Sequence, residues 1–397
     1  MAAPIDFQKT EFAKIVENSV EAISDELREI SLKIHAKPEI GLEEYFAHDL
    51  LSDYLEKKGF KVTRKVYGLS TAFRAEYESK VTGGRTVSFN SEYDALPGIG
   101  HGCGHNLIAI SGVAAAYGVM NTLKTQNIPG KVVLFGTPAE EKHFGKIEMI
   151  EAGAYKEVDV SLMLHPMSLD LLDPVYMAIS DAEIEYFGRP AHAALNPWDG
   201  RNALDAVVLA YNGLSMLRQQ SQINNRISML ITNGGKVINV IHEYASLKVQ
   251  IRSVNVSDLR ELKIGLRVVS SLLRTLLDAR IKLNGRKSVM LAKNFMKHME
   301  DRGVVYPTEI YPPGGSTDQG NVSYEVPSIH ALYNIGTTHM IHTHEFTAEA
   351  EKLEAHHRTM RAAKCLALTG LDVLVDDQLY KEVVEEFKKT IEDHKPK

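Results

Sequence analysis

The chain is expected to be an α/β protein: a catalytic domain on a central mixed sheet, interrupted by a smaller α+β domain. Three observations predict this. Apolar strand-like runs alternate with helical patterns over residues 1–180. A separate β-α-β-β-α-β order occupies 181–292, and loop, strand and helix patterns resume over 293–397. The side chains able to carry chemistry follow directly after the strand candidates. Alternation of this kind implies a parallel or mixed sheet covered by helices, and ligands in such sheets bind at the carboxyl ends of strands.

The elements are read in order. Residues 9–34 carry apolar side chains at helical spacing (Phe12, Ile15, Val16, Val20, Ile23, Leu27, Ile30), and Pro38 ends the pattern. A second helix is expected from Leu42 to Lys58, with Gly59 as its terminating glycine. FKVTRKVY, TAFRAEY and TVSFNSEY read as strands, DALPGIGHGCGHN as a loop, and Leu107–Lys124 as a helix. KVVLFGT and VSLMLHP are apolar strands on either side of a helical stretch that follows PAEE. From 181 onward come AEIEYFGR (strand), NALDAVVLAYNGLSMLRQQ (helix), RISMLITNGG and ASLKVQIRSV (strands), a long helix over 256–280 and a last strand over 280–290. This order matches the split, ferredoxin-like arrangement. Residues 347–369 read as a helix and 372–397 as a solvated terminal helix.

Composition limits the function classes. At 397 residues, 44% hydrophobic and 24% charged, the chain suits two or three folded domains at roughly 150 residues each. A net charge of −6 does not predict a nucleic-acid partner. Two cysteines, Cys103 and Cys365, make no disulfide framework. MAAPIDFQKTEF lacks the pattern of a secretory signal, and no run of about 18 apolar residues is present. The expectation is a reduced, cytoplasmic enzyme without a membrane partner.

Five groups of residues carry the chemistry. In HGCGHN, Cys103 and His105 stand two apart between glycines, so an extended loop would turn both toward one ion. Thiolate and imidazole suit zinc and its neighbours. In PAEE, Glu140 and Glu141 can divide the work of metal-assisted hydrolysis, one carboxylate ligating and the other serving as general base; an acidic helix start is the plainer reading. His165 ends an apolar strand beside Pro166, where a site-facing and a buried structural role are both open. HMIHTHEF offers His339, His342 and His344, and spacing does not choose among them. His192 lies in a small-residue loop of the inserted domain, where a lone histidine is usually structural. Taken jointly, Cys, His, Glu, His and His at strand ends beside a spare glutamate point to a dinuclear metal hydrolase.

HAKPEIGLEE, SEYDALPGIGHGCGHNLIAISG, GTPAEE, LMLHP, GRPAHAALNPWDGRNALDA, GGKVINVI, GSTDQGNVS and IHTHEFT together resemble the aminoacylase/carboxypeptidase family of dinuclear-zinc metallopeptidases (metallopeptidase family twenty). Within it the chain is similar to the amidohydrolases with a Cys-Gly-His loop, and most to dipeptidases acting on β-alanyl-lysine-like dipeptides with a basic C-terminal residue. The resemblance implies that Cys103, His105, Glu141, His165 and His342 ligate two divalent ions, zinc before manganese or cobalt. It implies Glu140 as general base and Asp94 as the carboxylate orienting a ligand imidazole. His192 would polarise the scissile carbonyl, in its own or a partner subunit's site. Asn239 and Arg252 match positions that bind the substrate carboxylate, Arg252 bidentately. Ser316, Thr317 and Asp318 would line the substrate pocket, a surface turn being the plainer reading. The resemblance also implies a zinc-peptidase-like catalytic domain and an inserted domain acting as lid and homodimer contact. The expected reaction is hydrolysis of the amide bond of a dipeptide or N-acyl amino acid, with a non-hydrolytic or amide-forming role as the alternative. Two departures, His242 where relatives carry proline and KHFGK after PAEE, bear on substrate preference and remove no ligand.

Overall fold

The computed structural model describes all residues except 1–3, 172–175, 255, 272–280, 283–287, 308–313 and 393–397. The first sheet is built from β1 (Lys61–Arg64), β2 (Phe73–Glu78), β3 (Thr86–Ser91), β4 (Lys131–Gly136), β5 (Val160–Met167) and a strand far along the chain, Ser328–Asn334. The second sheet lies between them in sequence: β6 (Ala178–Phe187), β7 (Arg226–Asn233), β8 (Tyr244–Ser253) and β9 (Ile281–Lys282); Ser328–Asn334 is therefore β10. The helices are α1 (Pro4–Glu21), α2 (Ser24–Ala36), α3 (Tyr45–Lys57), α4 (His105–Gln126), α5 (Gly145–Glu151), α6 (Ala203–Met216) and α7 (Val256–Ser271). They continue as α8 (Val289–Glu300), α9 (Gln319–Glu325), α10 (His344–Ala350), α11 (Leu353–Val375) and α12 (Asp377–Glu392).

The first sheet has the order β1-β2-β4-β3-β5-β10. β1, β2 and β4 pair antiparallel, whereas β4, β3, β5 and β10 run parallel to one another. Alternation along β4 shows both faces covered: Val132 and Leu134 join the core with α4 and α11, while Val133 and Phe135 pack with Met149, Tyr155 and Val322. Central strands of this kind read as unbroken apolar runs because both faces are buried.

The second sheet has the order β7-β8-β6-β9, every pairing antiparallel. One face packs Ile184, Leu247 and Val249 against Val207 and Leu214 of α6 and Leu259 and Leu266 of α7. This is the split β-α-β-β-α-β arrangement expected for the inserted segment.

Several elements differ from expectation. The helix expected over 9–34 is two helices, because Ile23 leaves helical geometry (φ −116°, ψ 3°) and turns its side chain into the core. Of the strand expected over 280–290, Ile281–Lys282 is a strand among the described residues; residues 280 and 283–287 lie outside them, and α8 starts at Val289. Ser288 caps α8, its Oγ accepting the Leu291 N–H at 3.3 Å. Leu291, Ala292 and Phe295 of α8 belong to the core of the first sheet, not of the second. The end of the helix expected over 256–280 likewise lies outside the described residues. The helix expected over 347–369 is two, α10 and α11. The terminal helix α12 is not wholly solvated: Val383 is buried and the Tyr380 hydroxyl reaches Asp159.

Candidate metal centre

Four parallel strands end at one edge of the first sheet, and each delivers a functional group there. β3 leads into Glu92 and Asp94, β4 into Glu140 and Glu141, β5 carries His165 near its end, and the loop after β10 carries His342. Cys103 and His105 arrive on the turn that opens α4. Gly104 caps that helix with φ 75°, and a Cβ there would come within 2.5 Å of Pro166 Cγ, so only glycine fits between the turn and β5. Two residues with side chains also hold positive φ here: Ala139 (62°), before the glutamate pair, and His342 (66°). Strained backbone of this sort persists where surrounding contacts over-determine it. Buried Glu44 accepts the Ala139 N–H at 2.8 Å, and the His342 N–H binds the Gly102 carbonyl at 2.8 Å.

Two three-residue clusters share Cys103. Ligand atoms of Cys103, His105 and His165 lie within 4.8 Å of one another, as do those of Cys103, Glu141 and His342. A third such group joins His105, Glu140 and Glu141. Cys103 Sγ is 3.4 Å from His165 Nε2, and Glu141 Oε1 is 3.4 Å from His342 Nε2 and 3.8 Å from His105 Nε2. Neither His339 nor His344 takes part in these clusters.

Hydrogen bonds fix how the imidazoles point. His105 Nδ1 is 3.0 Å from Asp94 Oδ1; a carboxylate only accepts, so Nδ1 carries the proton and Nε2 presents a lone pair. His165 Nδ1 donates to the Pro166 carbonyl at 2.8 Å, which frees its Nε2 in the same way. His105 Nε2 and Glu141 Oε1 are buried without a hydrogen-bond partner. Buried polar atoms are normally satisfied, and convergent orphan lone pairs beside a thiol are a donor set that fits divalent metal. Burial pushes the Cys103 thiol well up, with the Glu141 charge adding to it, so a cation is what would favour the thiolate. Burial, and next the neighbouring His105, push His165 down to about 4, which keeps it neutral and able to ligate.

Beneath the glutamates lies a group that sequence reasoning missed. Lys146 is fully buried, with Nζ 2.5 Å from Glu92 Oε1 and 2.6 Å from Asp318 Oδ1. The other Glu92 oxygen is 3.4 Å from His105 Nε2, and the Asp318 N–H reaches Glu140 Oε1 at 3.4 Å. Burial raises the Glu92 carboxyl to about 7 even against the Lys146 charge. Asp318 was expected to line the substrate pocket; its carboxylate instead holds Lys146 beneath the glutamates. No spacing rule pairs Glu92, Lys146 and Asp318, and Lys146 gave no local signal, since its helix also carries Glu148 and Glu151. His330 and Tyr176 were missed for the same reason: they reach the His165 wall from distant segments.

Other expected residues lie apart. Ser316 Oγ donates to the Met177 carbonyl at 2.7 Å, tying the loop to the start of β6. Arg252 sits at that same end of the second sheet, opposite Ile179, and donates from Nε to Gln250 Oε1 at 3.0 Å. His192 and Asn239 stand together beyond the other end, where Ala193 N–H binds the Asn239 carbonyl. Both are exposed. The ten-residue ladder from Ala178↔Ser253 to Phe187↔Tyr244 separates them from Arg252, a span of about 30 Å at roughly 3.3 Å per residue. They do not join the metal cluster of their own chain.

Comparison with known proteins agrees with this architecture. The profile of Peptidase family M20/M25/M40 matches residues 88–363. A human Xaa-Arg dipeptidase is 39% identical over 393 residues, covering 93% of this chain and 90% of that protein. Two solved structures share the fold. The Bacillus subtilis YXEP protein, described as a dinuclear metal binding peptidase from the M20 family, has a TM-score of 0.66 at 17% identity and covers 90% of this chain and 99% of its own. An aminobenzoyl-glutamate utilization protein from Klebsiella pneumoniae has a TM-score of 0.69 at 18% identity over 91% of this chain and 99% of its own. With the profile spanning the sheet edge that gathers Cys103, His105, Glu141, His165 and His342, the chain belongs to peptidase family M20/M25/M40.

Proposed function

We propose that the chain hydrolyses the peptide bond of dipeptides that end in a basic residue, with zinc as its metal. The observation that carries the chemistry is the double cluster sharing Cys103, with Glu140 beside it. Cys103, His105 and His165 would hold one ion and Cys103, Glu141 and His342 the other. Bound there, divalent metal supplies Lewis acidity, polarising the carbonyl and easing the deprotonation of water. Glu140 takes a proton from the attacking water, whose oxygen bonds to the carbonyl carbon. The carbon–nitrogen bond breaks, and Glu140 returns the proton to the leaving amine; the second water proton ends on the same amine, giving one carboxylate and one ammonium group. Mixed thiolate, imidazole and carboxylate donors favour zinc over harder ions. The basic residue follows the human relative, named for Xaa-Arg dipeptides. A cleft of about 570 Å³ lies between Lys142 and Phe144, just past the glutamates, and the face of the second sheet bearing Asp181, Glu183, Lys248 and Gln250, a place where such a substrate could lie.

The inserted domain is read as lid and homodimer contact, with His192 and Asn239 completing the site of a second copy. Three observations support this. His192 is about 30 Å along the second sheet from the end tied to its own centre. Its Nδ1 accepts the Ala194 and Leu195 N–H groups, both at 3.2 Å, so Nε2 carries the proton and projects outward as a donor. The surface around it is apolar and exposed (Leu195, Trp198, Ile238), as are Leu209, Ile264 and Val268 on α6 and α7. Arg252, at the near end, would bind the substrate carboxylate from its own chain. A cytoplasmic setting is part of the proposal, since the free, buried Cys103 must remain a thiolate ligand.

Elemental analysis paired with a dipeptide panel tests the reading. About two zinc equivalents per chain, with turnover of Xaa-Arg and Xaa-Lys dipeptides lost on chelation and restored by zinc, are expected. A protein that stays inert when supplied with zinc, manganese or cobalt would overturn it.

A further inference from the structure

We propose that Tyr176 is a catalytic residue: its phenol donates a hydrogen bond to the scissile carbonyl oxygen as that oxygen gains charge. The inference rests on the amide-hydrolysis reading above and adds a donor from the chain that also supplies Glu140.

Contacts on both sides position Tyr176. The next residue, Met177, donates its N–H to the Gly315 carbonyl at 3.0 Å and accepts from Ser316 Oγ at 2.7 Å. The Tyr176 ring stacks on His330, with centroids 5.2 Å apart and planes 23° apart. His330 meets His165 edge-on at 5.3 Å and 79°. His165 Nε2 in turn lies 3.4 Å from Cys103 Sγ. The phenol therefore belongs to the wall of the metal centre, one ring removed from a candidate ligand.

Its hydroxyl is the informative atom. Tyr176 Oη is buried and has no hydrogen-bond partner among the described residues. Buried hydroxyls are nearly always paired, and the exceptions concentrate where a ligand completes the set. The charges that act on it belong to Glu92, Glu140 and Cys103, the groups around the expected reaction centre, after burial as the largest influence. Both push the phenol far above neutral pH, so it is a donor and not a base. A fixed, desolvated, protonated donor without a partner is what stabilisation of a developing oxyanion requires. His192 cannot fill that place within one chain, since it stands beyond the far end of the second sheet. Tyr176 holds the carbonyl oxygen by hydrogen bonding alone and transfers no proton; Glu140 handles the proton.

The test compares metal-loaded wild type with Tyr176→Phe, which keeps the stacking ring and removes only the hydroxyl. Turnover of alanyl-arginine should fall roughly 100-fold or more in kcat, the range for losing one oxyanion donor, with KM, zinc content and Tm unchanged. Calorimetric affinity for a phosphinate isostere of alanyl-arginine should fall by a similar factor, while affinity for arginine stays constant. Tyr176→Ala separates the wall from the donor, because only it should also lower Tm. Values of kcat and phosphinate affinity within threefold of wild type for Tyr176→Phe would overturn the proposal, as would a matching loss of zinc. A wild type that neither cleaves the dipeptide nor binds the phosphinate would sink the amidohydrolase reading itself. An active wild type with an indifferent Phe variant sinks only the role of Tyr176.

Discussion

Asp94 holds His105 by one carboxylate oxygen, 3.0 Å from Nδ1, and accepts the backbone N–H of Glu141 with the other, also at 3.0 Å. One buried side chain thus sets the direction of an imidazole and the position of a carboxylate that sit eleven and forty-seven residues away. Despite complete burial, His105 and the Glu141 N–H keep the Asp94 carboxyl below its usual range.

Asp94→Asn removes the carboxylate charge and leaves an amide NH2 facing one of two donors, His105 Nδ1–H or the Glu141 N–H. Zinc affinity should fall about 10- to 100-fold, the usual effect of losing a partner that orients a metal-binding imidazole. Competition with a chromophoric chelator measures it; unchanged affinity would show that Asp94 serves only the fold.

Glu140→Gln and His192→Ala give a direct test of a site shared between copies. Each variant alone should lose at least two to three orders of magnitude in kcat. If dimers exchange subunits, half of them become mixed, and one of the two sites in each mixed dimer is intact. The mixture should therefore recover about a quarter of wild-type activity. No recovery, with exchange verified by native mass spectrometry, means that His192 does not act across a dimer.

Lys146→Met leaves Glu92 and Asp318 facing each other without their shared cation. Removing one partner from a buried ionic group destabilises by about 3–5 kcal/mol. Urea denaturation at neutral pH should show this loss, and turnover should fall as well, because the Asp318 N–H contacts Glu140. A variant of wild-type stability would show that the two carboxyls share a proton instead.

Glu76 gives a pH-dependent contribution away from the site. Burial acts to raise its carboxyl, but hydrogen bonds from Lys131 and Lys61 and the charge of Arg74 outweigh it and hold the value at about 2. The unfolded value is about 4.3. A depressed native value stabilises above the unfolded value and ceases to do so as pH falls through the native one. Glu76→Gln should therefore lower Tm by roughly 2–4 °C at pH 7, and the gap to wild type should close between about pH 4.5 and 2. A gap independent of pH would assign the effect to packing.

Much of this fold is legible in the sequence wherever the signal is local. The apolar runs KVVLFGT and VSLMLHP marked central strands because residues covered on both faces must be apolar throughout, and they are β4 and β5. The split order of the inserted segment was legible because each of its strands and helices faces a core on one side only, which leaves a clean period. The candidate ligands were legible because Cys, His and Glu at strand ends beside glycines are chemically conspicuous. The signal fails at α8, which begins inside the segment expected as a final strand and whose helical spacing of Leu291, Ala292, Phe295 and Met299 lies mostly beyond it.

The elements and the inventory of reactive groups are written in the sequence, since both depend on near neighbours. Which groups meet depends on packing between distant segments. Parallel pairing of β3, β4, β5 and β10 brings their carboxyl ends to one edge and sets His342, which the family resemblance had already preferred to His339 and His344, beside Glu141. Burial decided that Lys146 needed two carboxylates, a requirement that exists only once water is excluded. Register along β6 and β8 decided that His192 and Arg252 stand at opposite ends of one sheet, a separation set by a rigid ladder of backbone hydrogen bonds and invisible to local spacing.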